Sequence, residues 1–348
     1  MRFLPRPPLI DKMLLENLII EEKKNNKQLY SSGPYWDYKN SKAILEIKKK
    51  GLKGFRGLDS GVGTGYASNL VSDVRNELGW KGRLISKILK LPLISRIFNE
   101  QLFHTQIHIR DYLEALSIVY KSNSNVQELI KKYKFENTTE FDCIKKINYQ
   151  NQDISTLYLD MADRVEKLSS SFDFSKIKSY FEIGGGFGAN VHFLITNFPN
   201  IKKIIYLDTV PNIYVGTEYL KYFYKNSVKD FLYTKSLEKI IFSNDDNLEI
   251  ICIPPWEIEK LEASIDHFHN ASSFVEMPKI VVDNYSKFIK KLKIKDISLI
   301  SYDKYDETTT FKPEELNSYF DKKLKIVWHD WLIKEYGRKL VYLYSKNN

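Results

Sequence analysis

The chain has 348 residues, of which 43% are hydrophobic and 28% are charged, and its net charge is +9. These fractions are typical of a globular protein and exclude a disordered one, and the length allows two modest domains. No apolar run approaches the roughly 18 residues of a membrane-spanning helix, and the first residues lack the apolar core of a signal peptide. The 2 cysteines cannot build a disulfide framework, so we expect a cytoplasmic protein.

The basic residues restrict the class of partner. A basic surface attracts anions such as phosphosugars, lipid head groups or nucleic acid. The lysines stand in scattered pairs and triples, and no basic block alternates with aromatic residues, so we expect no nucleic-acid binding. One basic amphipathic stretch, Arg83 to Phe98, could contact a membrane surface. Pro92 interrupts this stretch, and a helix packed into the core is the more common explanation of such a pattern.

The N-terminal half, residues 1–150, is predicted to be mainly helical and is a candidate cover for a substrate. Apolar residues recur at close to 3.6-residue spacing from Phe103 to Tyr120. A Gly-rich string, Ser60 to Tyr66, follows a basic segment rather than an apolar strand, and we interpret it as a loop. The polar stretch Asn148–Asp153 marks the change to a second domain, residues 151–348.

The second domain alternates β-rich and helical segments, which is the pattern of a parallel α/β sheet. The predicted strands are Ser179–Ile183, Lys203–Leu207, Leu248–Ile253, Ser264–Asn270, Asp296–Tyr302, Lys325–Ile333 and Lys339–Tyr344. The predicted helices include Ser155–Ser169, Pro211–Tyr224, Pro278–Leu292 and Lys312–Phe320. The last two strands must be antiparallel, because their connection is too short for a parallel crossover. Five α/β units followed by an antiparallel hairpin predict the Rossmann-like sheet of a class I methyltransferase.

A Gly-rich turn after the first of these strands is the strongest motif in the chain. Glycines let the backbone turn sharply and approach a ligand, and the next helix points its positive end at that ligand. An acidic residue ends the first strand and another ends the second, where it can bind ribose hydroxyls. Two further residues close the third strand at the same edge. The predicted cofactor-binding residues are Glu182, Gly184, Gly186, Gly188, Asp208, Pro254 and Trp256.

Two cofactors compete for this motif. Gly184, Gly186 and Ala189, followed by Asp208, also satisfy the dinucleotide fingerprint, which alone is a weak signal. The acid at Glu182 and the terminal hairpin favour S-adenosylmethionine, whereas a dehydrogenase sheet ends with another parallel strand. An NAD-dependent sugar oxidoreductase and a non-catalytic binding subunit remain as alternatives, and RNA methylation is a further one.

The loop after the fourth strand holds the candidate catalytic residues. In open α/β sheets, ligands bind beyond the carboxyl ends of the strands, and the fourth strand should adjoin the first. Methyl transfer to a hydroxyl needs a base to remove its proton, and Glu276, His269 and Asn270 are candidates for the base or an orienting group. The alternative is that His267 and His269 are sheet-interior residues whose polar atoms are satisfied by neighbours. If none of these is the base, His104 or His108 is the next choice.

Part of this pattern resembles a known family. The residues that carry the resemblance are Glu182 to Gly188, Asp208 with Pro211, and Asn270, Ser273, Phe274, Glu276 and Met277. Together they are similar to the sugar O-methyltransferases of bacterial surface-polysaccharide gene clusters. The resemblance implies a class I domain that methylates a sugar hydroxyl with S-adenosylmethionine as donor. The chain departs from the family at His267 and His269, where aliphatic residues are expected, and this moves the catalytic assignment towards Glu276.

Metal dependence is not expected. Some sugar methyltransferases use a divalent cation held by clustered carboxylates. Asp283, Asp303 and Asp306 lie near predicted strand ends, but no pair of them has a convincing ligand spacing.

Overall fold

The computed structural model of the chain describes residues 11–25, 28–57, 113–292, 294–302, 312–333 and 339–345. The chain divides into two compact units, one formed by Met1–Ser41 with Asp160–Asn348 and the other by Lys42–Leu159. Within the described ranges, no helix is long and apolar enough to span a membrane. Several features discussed above lie outside the described residues: Ser60–Tyr66, Arg83–Phe98, His104, His108, Asp303 and Asp306.

The described part of the unit Lys42–Leu159 is mainly helical, but it contains one hairpin that the sequence did not predict. Its helices are α3 (residues 113–122) and α4 (Ser124–Lys132). The hairpin pairs β1 (Lys146–Tyr149) with β2 (Gln152–Ser155), and its two turn residues, Gln150 and Asn151, both have positive φ. Two positive φ values match the twist of a tight hairpin, so the polar stretch at 148–153 holds the turn and the paired strand ends beside it.

The larger unit is built on one sheet, with two helices from the start of the chain. These are α1 (Lys12–Lys24) and α2 (Pro34–Lys50), of which α2 continues past Ser41. The strands are β3 (Ser179–Ile183), β4 (Lys203–Leu207), β5 (Val228–Lys229), β6 (Glu249–Ile253), β7 (His267–Ala271), β8 (Asp296–Tyr302), β9 (Lys325–Asp330) and β10 (Lys339–Ser345). The helices are α5 (Thr156–Ser169), α6 (Ala189–Asn197), α7 (Asn212–Tyr224), α8 (Phe231–Thr234), α9 (Ser273–Glu276) and α10 (Lys279–Lys291).

The strand order confirms the predicted class I methyltransferase sheet. It runs β5-β6-β4-β3-β7-β8-β10-β9, with β10 antiparallel to both β8 and β9 and the other pairs parallel. The chain leaves β3 for β4 on one side and later returns to β7 on the other. A ligand crevice forms at such a switch point, beyond the carboxyl ends of the strands. The two-residue β5 adds an eighth strand to the seven that were predicted.

Some element bounds differ from the prediction. β7 begins at His267 rather than at residue 264, because the Asp266 carboxylate accepts hydrogen bonds from the backbone N–H groups of Lys178 and Ser179 at 2.9 and 3.0 Å. The helix predicted at residues 312–320 is a 3-10 helix, Pro313–Tyr319.

The two faces of the sheet differ in character. On one face, Phe181, Phe268 and Leu299 belong to an apolar core that includes Val282 and Tyr285 of α10. Side chains alternate between the faces of a strand, so the residues between these core positions point the other way. That second face buries polar side chains: Glu182, His267, His269, Ser298 and Tyr342. The sheet therefore carries a polar layer directly below the carboxyl end of β3.

Candidate active site at the carboxyl edge of the sheet

The Gly-rich turn after β3 adopts a backbone that requires glycine. Gly184, Gly186 and Gly188 have φ values of +76°, +64° and +82°, in the left-handed region. A Cβ on Gly184 would stand 2.1 Å from the Ser273 hydroxyl oxygen, so this residue must be small as well. A Cβ on Gly186 would meet nothing within 4 Å, which leaves open space above the middle of the turn. The turn then leads into the N-terminus of α6.

Glu182 lies buried below this turn with one oxygen unsatisfied. Its Oε1 accepts a hydrogen bond from Asn190 Nδ2 at 2.9 Å. Its Oε2 has no hydrogen-bond partner among the described residues and would be 2.9 Å from a Cβ on Gly185. Burial, together with the charge of Asp208, raises the pKa of the Glu182 carboxyl to about 8. A buried acid with a vacant acceptor position is suited to a cationic ligand.

Asp208 joins the end of β4 to the same turn. Its Oδ2 accepts from the Gly186 backbone N–H at 2.8 Å, and its Oδ1 accepts from the Thr209 N–H at 2.7 Å. Burial raises the pKa of this carboxyl to about 7, although the hydrogen bond from Gly186 opposes the change. Asp208 is therefore both a candidate ligand contact and a clamp on the glycine turn.

Asn270 ties β7 to β3. Its Nδ2 donates to the Ile183 carbonyl at 2.8 Å and to the Ser273 hydroxyl, and its Oδ1 accepts from the Phe274 N–H at 3.1 Å. These bonds hold the start of α9 against the glycine turn. The side chain of Asn270 thus supports the geometry of the site from below.

The two histidines of β7 lie in the sheet interior. His267 Nε2 and His269 Nδ1 are 2.7 and 2.8 Å from the same Ser298 hydroxyl. His267 also stacks on Tyr180, with ring centroids 5.6 Å apart. Burial lowers the pKa of both imidazoles to about 3, so both are neutral near pH 7. Both histidines are thus sheet-interior residues, but His267 Nδ1 has no hydrogen-bond partner among the described residues.

Glu276 is the last residue of the short helix α9. It lies about 4.5 Å along the helix axis from Ser273, the residue that packs on Gly184. Its carboxylate accepts two hydrogen bonds, from Tyr302 OH at 2.7 Å and from Trp36 Nε1 at 2.9 Å. The sequence analysis missed both partners. Tyr302 could have been found, because it ends a predicted strand at the correct edge of the sheet. Trp36 carries no signal, because nothing local relates a tryptophan near the start of the chain to residue 276.

The remaining candidates lie beyond β6 and on α10. Pro254 is buried at the end of β6, and Trp256 is half-buried with its ring 5.9 Å from that of Phe231. Glu259 follows in the same 3-10 helix and accepts a hydrogen bond from Tyr30 OH. No group of three His, Cys, Asp or Glu side chains within the described ranges could hold a metal ion, and Asp283 belongs to no such group.

No protein-family model and no curated protein matches the sequence. Among solved structures, the chain is similar to human N-acetylserotonin methyltransferase in complex with SAM, with 12% identity and a TM-score of 0.35 over 55% of this chain and 54% of that one. The match thus spans about half the length of the human enzyme. A SAM dependent methyltransferase from Aquifex aeolicus matches with 14% identity and a TM-score of 0.33 over 51% and 87% of the two chains. The StiE O-MT domain matches with 11% identity and a TM-score of 0.35 over 55% and 76%. The strand order of the sheet establishes the fold.

Proposed function

We propose that the chain is an S-adenosylmethionine-dependent O-methyltransferase that acts on a sugar hydroxyl of a surface glycan, or on its nucleotide-linked or lipid-linked precursor. The observation that carries the proposal is the buried Glu182 carboxyl with its unpartnered Oε2 beneath an open glycine turn. Solved structures of similar chains include a methyltransferase in complex with SAM and another with S-adenosylhomocysteine.

The residues at the turn fit the chemical groups of the proposed donor. A methionine ammonium is a cation that can donate to Glu182 Oε2, which has no partner among the described residues. The methionine carboxylate suits the N-terminus of the nine-residue helix α6, where backbone N–H groups and the helix dipole favour an anion. The ribose hydroxyls suit Asp208, and Pro254 and Trp256 would border the adenine ring of the donor.

Among these residues, Glu182 favours the sulfonium donor over a dinucleotide. NAD places an anionic pyrophosphate at the helix N-terminus after the glycine turn. Glu182 lies buried below this turn, where its ionised carboxylate would repel the pyrophosphate and would be stabilised by a cation. Asp208 can bind a ribose of either cofactor. A sulfonium donor with an ammonium group instead adds positive charge next to both acids.

Glu276 is the proposed general base. S-adenosylmethionine supplies a methyl group bonded to a positively charged sulfur. The Glu276 carboxylate would take the proton from the acceptor hydroxyl as that oxygen bonds to the methyl carbon and the carbon–sulfur bond breaks, which leaves S-adenosylhomocysteine. The negative charge of the carboxylate and the positive charge of the donor disappear together, so the reaction creates no isolated charge. His269 is a weaker candidate, because burial lowers its pKa to about 3.

The proposal of a sugar acceptor rests on the residues that follow β7. The string Ser273, Phe274, Glu276 and Met277 is the more specific part of the resemblance to polysaccharide-cluster sugar O-methyltransferases. The net charge of +9 suits an anionic acceptor such as a nucleotide sugar. We place the protein in the cytoplasm, where such precursors are made, and expect no nucleic-acid partner.

Calorimetry and a transfer assay test the proposal. S-adenosylhomocysteine should bind, and NAD⁺ and NADH should not. Methyl-labelled S-adenosylmethionine should transfer its label to nucleotide sugars or lipid-linked glycans extracted from the source cells. Tight NAD⁺ binding without S-adenosylhomocysteine binding would favour an oxidoreductase. Binding of the donor without transfer to any glycan fraction would favour a non-catalytic subunit or, if binding to RNA falls steeply with salt, an RNA acceptor.

A further inference from the structure

The Glu276 carboxylate is held from two sides by residues far from it in sequence. Trp36 Nε1, near the start of α2, donates to Oε2 at 2.9 Å. Tyr302 OH, at the last residue of β8, donates to Oε1 at 2.7 Å. Each oxygen therefore has its own donor, and the two donors belong to different elements of the same compact unit. Two donors on separate oxygens fix the plane of the carboxylate as well as its position.

The N-terminal segment before Trp36 is built against the same edge of the sheet. Tyr30 is buried in the apolar core, and its hydroxyl donates to Glu259. Gly33 has a φ of +85°, and a Cβ there would lie 3.2 Å from Pro278 Cδ and 3.9 Å from the Glu276 carbonyl oxygen. The turn at Gly33 thus packs directly on the residues that follow α9. Glycine at position 33 permits this close packing, and Trp36 follows three residues later.

We propose that Trp36 and Tyr302 are positioning residues that orient the Glu276 carboxylate towards the acceptor hydroxyl. This inference depends on the proposed methyl transfer. Trp36 binds one carboxylate oxygen and Tyr302 binds the other, so the two rings set the direction in which Glu276 meets the substrate hydroxyl. Neither ring touches the reacting atoms, so both act through Glu276.

The chemistry of the two donors makes Glu276→Gln a well-matched probe. Indole Nε1 can only donate, whereas a tyrosine hydroxyl can also accept. A glutamine can therefore place its amide oxygen at Trp36 and its amide N–H at the Tyr302 oxygen. The substitution removes the base while both contacts persist.

Kinetics of single and double variants test the inference. Trp36→Phe and Tyr302→Phe each remove one donor but keep a ring. We expect each to lower kcat by about tenfold or more, since a hydrogen bond to a charged group is worth about that factor. The KM for S-adenosylmethionine should change little. Trp328→Phe and Tyr233→Phe, at positions 42% and 49% exposed, are the matched controls and should leave kcat unchanged.

A double-mutant cycle separates positioning from general destabilisation. If Trp36 acts through Glu276, Trp36→Phe should cost almost nothing in kcat when residue 276 is already Gln. Full additivity of the two losses would overturn the inference. If the wild-type protein transfers methyl groups and Trp36→Phe does so with the same kcat, the inference is overturned and the proposed function stands. A wild-type protein that binds no S-adenosylhomocysteine would instead defeat the proposed function.

A spectroscopic measurement tests the contact without any acceptor. The protein is labelled with ¹⁵N-tryptophan, and the Trp36 indole signal is identified by its loss in Trp36→Phe. Glu276→Gln should move this signal, because a neutral oxygen is a weaker acceptor than a carboxylate. The signal of Trp328 should stay in place. An unchanged Trp36 signal would show that the indole does not bind this carboxylate and would overturn the inference.

Discussion

The two halves of the candidate site are assembled in opposite ways. The donor half is local: Glu182 pairs with Asn190, 8 residues later, and Gly186 pairs with Asp208, 22 residues later. The acceptor half is assembled from distant segments, because Glu276 pairs with Tyr302 at a separation of 26 and with Trp36 at a separation of 240. A single strand–turn–helix segment can supply its own ligand contacts. The residues that orient Glu276 come together only when the whole larger unit is folded.

The largest effect is expected from Glu276→Gln. Loss of a general base costs about a hundredfold to ten-thousandfold in rate, so labelled methyl transfer should fall by that factor. The affinity for S-adenosylhomocysteine, measured by calorimetry, should remain near the wild-type value, because Glu276 is not among the proposed cofactor-binding residues. Glu238→Gln, at an exposed position, is the control. Near-normal transfer in Glu276→Gln together with its loss in His269→Ala would assign the base to the histidine.

Asp208→Ala should show the reverse pattern. It removes the proposed ribose contacts and also the acceptor for the Gly186 and Thr209 N–H groups. Binding of S-adenosylhomocysteine should weaken by about 1–3 kcal/mol. Asp246→Ala, at a residue whose side chain is 92% exposed, should bind normally. Unchanged donor affinity in Asp208→Ala would remove this residue from the cofactor site.

Two alanine substitutions in the glycine turn should differ in their cost to stability. Gly184→Ala meets both a left-handed φ and the Ser273 side chain, with 2.1 Å to its hydroxyl oxygen. Gly186→Ala meets only the unfavourable φ, since nothing lies within 4 Å of its Cβ. We expect losses of about 2 kcal/mol or more for Gly184→Ala and about 1 kcal/mol for Gly186→Ala in urea unfolding. Equal losses would mean that the contact between Gly184 and Ser273 is not tight.

The smallest expected effect is on the pH dependence of stability. Burial raises the folded-state pKa of Glu182 from its usual 4.5 to about 8 and that of Asp208 from 3.8 to about 7. Protonation thus favours the folded state, and this contribution is complete below about pH 4 and is lost as the pH rises through about 7 and 8. Glu182→Gln cannot ionise, so its free energy of unfolding should fall less between pH 7 and pH 8, by about 1 kcal/mol. Identical pH profiles for Glu182→Gln and wild type would show that Glu182 titrates normally.

The sequence was sufficient to predict most of the sheet. The strands at Ser179–Ile183, Lys203–Leu207 and Asp296–Tyr302 have the predicted bounds, because each is a short β-rich run that is buried on both faces. The β1–β2 hairpin was missed because few of its residues are apolar, with Ile147 and Ile154 the buried aliphatic ones. The two-residue strand β5 is too short to show any alternation.

The site was predictable only where its contacts are local. The glycine turn with Glu182 and Asp208 could be proposed from spacing, because a β-turn-α unit fixes those distances within one segment. The sharing of Ser298 by two histidines depends on the β7–β8 register, which pairs His269 with Ser298. The contact between Trp36 and Glu276 depends on the packing of Gly33 on Pro278, which no periodicity encodes.

The shared Ser298 hydroxyl also couples the tautomers of the two imidazoles. A hydroxyl has one hydrogen and two lone pairs, so it can donate to at most one of His267 Nε2 and His269 Nδ1. His267 Nδ1 is buried without a partner among the described residues, and a bare lone pair there costs less than a buried N–H. His267 therefore carries its hydrogen on Nε2 and donates it to Ser298. When Ser298 in turn donates to His269 Nδ1, the His269 hydrogen sits on Nε2, and neither nitrogen of His269 then has a lone pair available to take a proton from a substrate.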